Sequence, residues 1–233
     1  MMKRRLAGLA LLGGLAVLAL PYLLHPPAAR AALQVPPPAM DEIALPQSAP
    51  QTAILAGGCF WGMEMVFQHV KGVKRVVVGY TGGAADTAQY ETVSTGTTGH
   101  AESVQITFDP AVISYGKILQ IFFAVAHDPT TLDAQGPDQG TQYRSAIFAM
   151  NPAQAGIAKS YIAQLNQSHV FPAPIVTEID PAKSFYPAEA YHQDYGQLHP
   201  DSPYIAFNDA PKVSDLKSSF PALYRADPVM TAK

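Results

Sequence analysis

Residues 52–56 run Thr-Ala-Ile-Leu-Ala into Gly57-Gly58, the pattern of a short buried strand closed by a tight turn. Apolar residues then recur at 60, 63, 66, 67 and 70, a helical period that predicts a helix over 60–70. Residues 74–80 are rich in β-branched valine, at 76, 77 and 78, and stop before Gly82-Gly83, giving a second strand. Val104, Ile106 and Phe108 alternate with polar residues in 102–108, a third strand that Asp109-Pro110 ends. Ser114 stands as N-cap to a helix over 115–126, and residues 143–150 read as a fourth strand. Asn151-Pro152, a cap followed by a first-turn proline, opens a helix running to about 167. Residues 175–179 read as a fifth strand, 187–197 as helix, and the remainder as loops with short helical pieces. Strands and helices that do not alternate strictly predict an α+β fold, a two-layer sandwich with helices packed on a mixed sheet.

The first fifty residues follow neither period. Lys3, Arg4 and Arg5 precede an uncharged apolar run over 6–24, and Ala29-Arg30-Ala31 supplies small residues at the two positions a signal peptidase reads. Residues 1–31 are therefore expected to be a signal peptide cut after Ala31, or else an uncleaved membrane anchor; both export the rest of the chain. Residues 32–51, with prolines at 36, 37, 38, 46 and 50, read as an extended linker, and the folded catalytic domain as 52–233. Apolar residues make up 48% of the chain, enough for a full core. The net charge of −3 comes with scattered Lys and Arg after the fifth position, which argues against a nucleic-acid surface.

The chain has one cysteine, so an intrachain disulfide is excluded. Cys59 lies where a strand passes through two glycines into a helix. Unpaired N–H groups and the positive end of the helix dipole gather there, which predicts a thiolate nucleophile and not an inert buried thiol. Trp61, the only tryptophan, flanks that sulfur and suits an apolar wall for a small alkyl group; Phe60 suits either that wall or the core.

Gly58-Cys59-Phe60-Trp61-Gly62 resembles the signature of the type A peptide methionine sulfoxide reductases. The resemblance continues through Val78-Gly79-Tyr80-Thr81-Gly82-Gly83, Tyr90 with Val93, Thr98-Gly99-His100-Ala101-Glu102 and Asp109-Pro110. It extends through the segment from Asp138 to Ser145, then Phe185-Tyr186-Pro187-Ala188-Glu189 and Tyr191-His192-Gln193, and covers about residues 52–209. The fold expected is thus the α+β sandwich with a ferredoxin-like core and extended loops at the C-terminal end.

The resemblance implies reduction of methionine S-sulfoxide, mainly in proteins and peptides, with Cys59 attacking the sulfoxide sulfur. Such chemistry needs a soft nucleophile, a protonated acid and donors around the departing oxygen. By resemblance Glu102 is the acid, Tyr90 and Tyr143 bind the oxygen, and Phe60 and Trp61 form the methyl pocket. Asp138 would contact substrate or an ordered water, its alternative being a plain turn residue after Gly136-Pro137. His100 and His192 are expected to be structural hydrogen-bonders. Many relatives carry a second, resolving cysteine; with none here, a Cys59 sulfenic acid must be reduced by an external thiol, from a thioredoxin-like protein or a small molecule. No tightly bound cofactor or metal and a monomeric enzyme are expected. The rival readings are a cysteine hydrolase or acyltransferase using a Cys–His pair, and a secreted binding domain with an inert cysteine.

Overall fold

The computed structural model describes residues 34–42 and 48–231, so the expected leader lies outside the described residues. In chain order the elements are strand β1 (Gln51–Gly57), helix α1 (Phe60–Gln68), β2 (Val73–Thr81), a short α2 (Tyr90–Val93), β3 (Ala101–Phe108) and α3 (Tyr115–Ile121). A two-residue hairpin pair comes next, β4 (Ala134–Gln135) with β5 (Asp138–Gln139), and then β6 (Ser145–Ala149) and α4 (Pro152–Ser168). Last come β7 (Glu178–Pro181), β8 (Phe185–Pro187), α5 (Tyr195–Leu198) and α6 (Ala210–Ser219).

The main sheet has the order β7-β6-β1-β3-β2-β8. Every pair is antiparallel except β6 with β7, which makes the sheet mixed. Its centre, β6-β1-β3-β2 with α1 and α3 as crossovers, is the β-α-β-β-α-β arrangement of a ferredoxin-like core. Alternation along β1 sorts its residues between two faces. Ala53 and Leu55 join the large core, whereas Ile54 and Ala56 join a small cluster with Ala101, Ala146 and Phe148 on the other side. Phe60, Met63, Val66, Phe67 and Val70 bring α1 and the turn after it onto the large core, all at most 1% exposed.

Three expectations shift. The helix over 115–126 is α-helical to Ile121 and continues as a π-turn, Phe122–Ala126, with the Phe122 carbonyl 3.0 Å from His127 Nδ1. The strand expected at 175–179 forms instead at Glu178–Pro181, where the parallel partner β6 sets the register. Residues 187–197 are not one helix. Phe185–Pro187 adds a strand to the β2 edge, and Gln193 takes the place of a further strand residue: its side-chain carbonyl accepts from Val78 N–H at 3.1 Å and its amide donates to Val78 O at 3.0 Å.

Residues 34–42, which the proline pattern marks as linker, dock on the domain. Their carbonyls accept from three side chains: Val35 O from Gln120 Nε2, Pro36 O from Tyr161 Oη, and Pro37 O from Gln164 Nε2, at 2.7, 2.6 and 2.9 Å. Prolines lack a donor but keep the acceptor, so an extended proline run suits a surface of side-chain donors. Asp41 completes the contact. Its carboxylate accepts the Gly116 N–H at 2.7 Å and the Ser114 hydroxyl, capping α3 where Ser114 also accepts the Lys117 N–H. Asp41→Ala is expected to lower unfolding free energy by about 1 kcal/mol, measured by urea denaturation.

Candidate active site

The end of β1 turns into α1 through Gly58, whose φ is +89°, a conformation glycine alone adopts without strain. A Cβ there would also stand 2.5 Å from Gln135 Cβ, in the β4–β5 hairpin. This turn leaves Cys59 as the residue capping α1, at the bottom of a cavity of about 180 Å³. The cavity is lined by Cys59, Phe60, Trp61, Tyr90, Glu102, Asp138, Tyr143 and Tyr204. All seven site residues singled out in the sequence therefore meet in one place, joined by an eighth. The volume is below the 300 Å³ or so of a pocket for a whole small molecule, and suits a single side-chain end.

Glu102 reaches the cavity from β3, directly opposite Tyr80 of β2. Its Oε2 accepts the Phe60 N–H at 3.0 Å, so it meets one of the free donors at the start of α1. At 3% exposure, burial pushes its carboxyl up to about 8, reinforced by the carboxylates of Asp138 and Asp209 and opposed by the Phe60 N–H. Glu102 therefore holds a proton at neutral pH.

The cysteine departs from the expected thiolate. Burial raises the Cys59 thiol well above its ordinary range, and the Glu102 and Asp209 carboxylates raise it further; the Trp61 N–H and the Tyr204 hydroxyl only partly offset them. Cys59 does stand at the helix start, but desolvation and like charge outweigh the dipole, and the resting group is a thiol.

Phe60 is fully packed, with its ring centroid 5.1 Å from His192 and 6.0 Å from Tyr80. Trp61 lies flat on Tyr195 at 4.0 Å and meets Tyr204 edge-on at 6.0 Å. Glu189 positions the tyrosine side of the cavity, accepting the Tyr90 N–H at 2.9 Å and the Tyr80 hydroxyl at 2.8 Å. Tyr143 ends a 3-10 turn (Thr141–Tyr143) steadied by Arg144, whose guanidinium donates to Thr141 O, Gly99 O and Glu178. Burial raises the phenols of Tyr90, Tyr143 and Tyr204, so all three stay protonated and able to donate. Asp138 sits at the start of β5 and accepts the Tyr204 hydroxyl, so it is more than a turn residue.

The two histidines diverge. His100 is the expected structural group: Gly83 N–H donates to its Nδ1 at 3.2 Å and Nε2 lies 2.9 Å from Ala84 O. The His192 ring, by contrast, makes no hydrogen bond among the described residues. Its nearest polar partner is Glu189 at 3.9 Å, and its ring packs against Phe60, Trp61 and Tyr90. Buried and held below its usual range by desolvation, it serves as an aromatic wall. Neither ring is arranged as the base of a Cys–His pair, so the hydrolase reading gains no support.

Sequence reading missed Tyr195, Tyr204, Asp209 and Lys212, which α5 and the segment after it place over α1. Asp209 is fully buried, and its Oδ1 pairs with Lys212 Nζ at 3.0 Å. The pair occupies the space where Gly62 lacks a side chain: a Cβ there would stand 2.1 Å from Asp209 Oδ1 and 2.6 Å from Lys212 Nζ. The last glycine of Gly-Cys-Phe-Trp-Gly is thus the seat of an ion pair. Gly62→Ala is expected to lower unfolding free energy by about 1–3 kcal/mol through overpacking, measured by urea denaturation.

A family model described as peptide methionine sulfoxide reductase matches residues 51–223. A curated peptide methionine sulfoxide reductase of Mesorhizobium japonicum is 62% identical over 191 residues, covering 82% of this chain and 97% of that protein. One of Synechocystis is 48% identical over 188 residues, covering 80% and 88%. Among solved structures, reduced Mxr1 from Saccharomyces cerevisiae aligns with a TM-score of 0.60 at 34% identity, covering 69% of this chain and 91% of that one. Methionine sulfoxide reductase A of Corynebacterium diphtheriae aligns at 0.56 and 35%, covering 66% and 77%.

Proposed function

The chain belongs to the peptide methionine sulfoxide reductase family, and on that premise we propose that it reduces methionine S-sulfoxide in peptides and proteins, with Cys59 as nucleophile and Glu102 as proton donor. The observation that carries this reading is the Phe60 N–H to Glu102 hydrogen bond, which holds a proton-bearing carboxyl beside the only sulfur in a cavity sized for one side-chain end. Phe60 and Trp61 supply an apolar wall for the substrate methyl. The protonated Tyr90 and Tyr143 can donate to the sulfoxide oxygen, where negative charge gathers as the S–O bond breaks.

Attack of the Cys59 sulfur forms a bond to the substrate sulfur while Glu102 protonates the oxygen, since an unprotonated oxide leaves poorly. Collapse transfers the hydroxyl to Cys59. The sulfoxide is reduced by two electrons and Cys59 is oxidised by two, to the sulfenic acid. With no second cysteine, an external thiol must attack that sulfenic acid, releasing water, and a second thiol then frees Cys59. A thioredoxin-like protein and a small thiol both meet this need. The apolar run over 6–24 behind Lys3, Arg4 and Arg5 supports action outside the cytoplasm, where oxidants reach exposed methionines.

The purified full chain, supplied with dithiothreitol and an N-acetylated peptide bearing one sulfoxide epimer, tests this. Thiol consumption with the S epimer and at least about tenfold slower consumption with the R epimer is the expected result, a selectivity of about 1.4 kcal/mol. Equal rates would remove the stereochemical assignment, and no turnover of either would remove the reductase.

A further inference from the structure

Cys59 rests as a thiol and Glu102 is protonated, so the sulfur must lose a proton before it attacks, and Glu102 cannot take it. The cavity holds a route for that proton. The Tyr204 hydroxyl donates to Asp138 Oδ2, which leaves its oxygen able to accept, and Tyr204, Asp138 and Cys59 all line the one cavity. Tyr204 is also the side chain whose hydroxyl draws the Cys59 thiol down, against burial and the neighbouring carboxylates. Tyr204 is held for this contact from two sides. Its ring stands edge-on against Trp61 at 6.0 Å, and the Asp209–Lys212 pair pins the following turn onto Gly62.

We propose that Tyr204 and Asp138 form a proton relay that activates Cys59, the S–H proton passing to the Tyr204 oxygen as the Tyr204 proton passes to the Asp138 carboxylate. Tyr204 is then a catalytic residue and Asp138 the base behind it, a role distinct from contact with substrate. The proposal rests on the reductase reading and deepens it. The electron pair freed on sulfur forms the S–S bond to the substrate, and Glu102 delivers its proton to the sulfoxide oxygen. When the hydroxyl moves to Cys59, the S–H hydrogen of the resting enzyme has been replaced, in number, by the hydrogen of S–O–H. Asp138 then loses a proton to solvent and Glu102 gains one, so the enzyme's proton count closes.

The other ionisable groups facing Cys59 do not offer this route. Glu102 on β3 is already protonated, and the hydroxyls of Tyr90 and Tyr143, unlike that of Tyr204, donate to no carboxylate among the described residues. Asp209, at the start of α6, pairs Oδ1 with Lys212, and no hydroxyl among the described residues donates to its Oδ2 to link it to Cys59. The His192 ring packs against Phe60 and Trp61, and neither ring nitrogen has a hydrogen-bond partner among the described residues.

The relay is tested on the full chain without sulfoxide, by following alkylation of Cys59 with iodoacetamide as a function of pH. In Tyr204→Phe and in Asp138→Asn, alkylation at pH 7 is expected to slow at least about tenfold, with the profile midpoint moved up by about one unit. Tyr204→Phe keeps the ring on Trp61, and Asp138→Asn keeps an acceptor for the Tyr204 hydroxyl, so a role limited to packing leaves both profiles on the wild-type curve. Superposed profiles would overturn the relay. So would faster alkylation in Asp138→Asn, which would mean that the carboxylate only repels the thiolate. Sulfoxide turnover by wild-type protein, measured alongside, separates the two ideas. If wild type fails to turn over, the reductase reading falls; if it turns over while the alkylation profiles coincide, only the relay falls.

Discussion

Cys59→Ser is expected to abolish sulfoxide reduction, lowering kcat/KM on the order of 10⁴-fold or more, while the protein stays folded. The sequence holds no second thiol that could substitute. A serine hydroxyl is a hard nucleophile with a far higher pKa, and the surroundings that already raise the thiol, namely burial and the Glu102 and Asp209 carboxylates, would hold an alkoxide out of reach. A serine hydroxyl is smaller than the thiol at this 9% exposed position and overpacks nothing, so little stability should be lost. A thiol-consumption assay checks the activity and a thermal melt checks the fold. Residual turnover within about tenfold of wild type would mean that Cys59 is not the reacting group.

The second large effect concerns Glu102, where activity and stability are expected to move in opposite directions. Glu102→Gln keeps an acceptor for the Phe60 N–H and an N–H₂ group for the oxygen, but loses the transferable proton. Loss of general acid catalysis is of the order of 10²–10⁴-fold, so Gln should retain roughly a hundredth of the activity and Glu102→Ala, which also loses the donor, less. In the wild type, activity should fall as pH rises through about 8, when the acid deprotonates. Its folded value lies above the ordinary 4.5, so the stability Glu102 contributes is fully present below about 4.5 and is lost as pH rises through 8. At pH 7 the buried carboxyl thus costs up to about 3 kcal/mol relative to a neutral side chain. Glu102→Gln should accordingly be the more stable protein at pH 7, with the gap closing below pH 4.5. Glu64, fully buried in α1 and likewise pushed up to about 8 by desolvation, adds to the wild-type slope and is unchanged in the variant. Comparing urea midpoints of the two proteins across pH isolates Glu102. A less stable Gln variant would mean that the carboxyl is not strained in its site.

Local chemistry carried the core and the Cys59, Phe60 and Trp61 side of the site, and the family resemblance added Tyr90, Glu102, Asp138 and Tyr143. Alternation in β1 and β3, the helical period of α1 and the caps Ser114 and Asn151 each depend on neighbours within a few residues, and the corresponding elements form where the pattern puts them. The shifted parts depend on partners far along the chain. Residues 178–181 form β7 because β6 offers a parallel edge, and 187–197 break into pieces because the β2 edge takes β8 and then the Gln193 amide. Residues 34–42 look like linker because a proline run carries no period, yet its carbonyls are what Gln120, Tyr161 and Gln164 bind. Tyr204 is one of eleven tyrosines with no pattern of its own, and Asp209 reads as an ordinary polar residue near a proline. Only the fold-back over α1 gives them their places. The thiolate expected at Cys59 fails for a related reason: the helix dipole is visible from sequence, but the burial and carboxylates that outweigh it are not.

The most direct measurement of the central claim is a single turnover with no thiol reductant present. Full-length protein is mixed with excess peptide methionine S-sulfoxide, and methionine is counted against Cys59. One equivalent of methionine, then arrest, with Cys59 carrying one oxygen by mass and reactive towards dimedone, is the predicted result. No methionine, or continued turnover without reductant, would contradict a mechanism in which Cys59 alone takes the oxygen and waits for an external thiol.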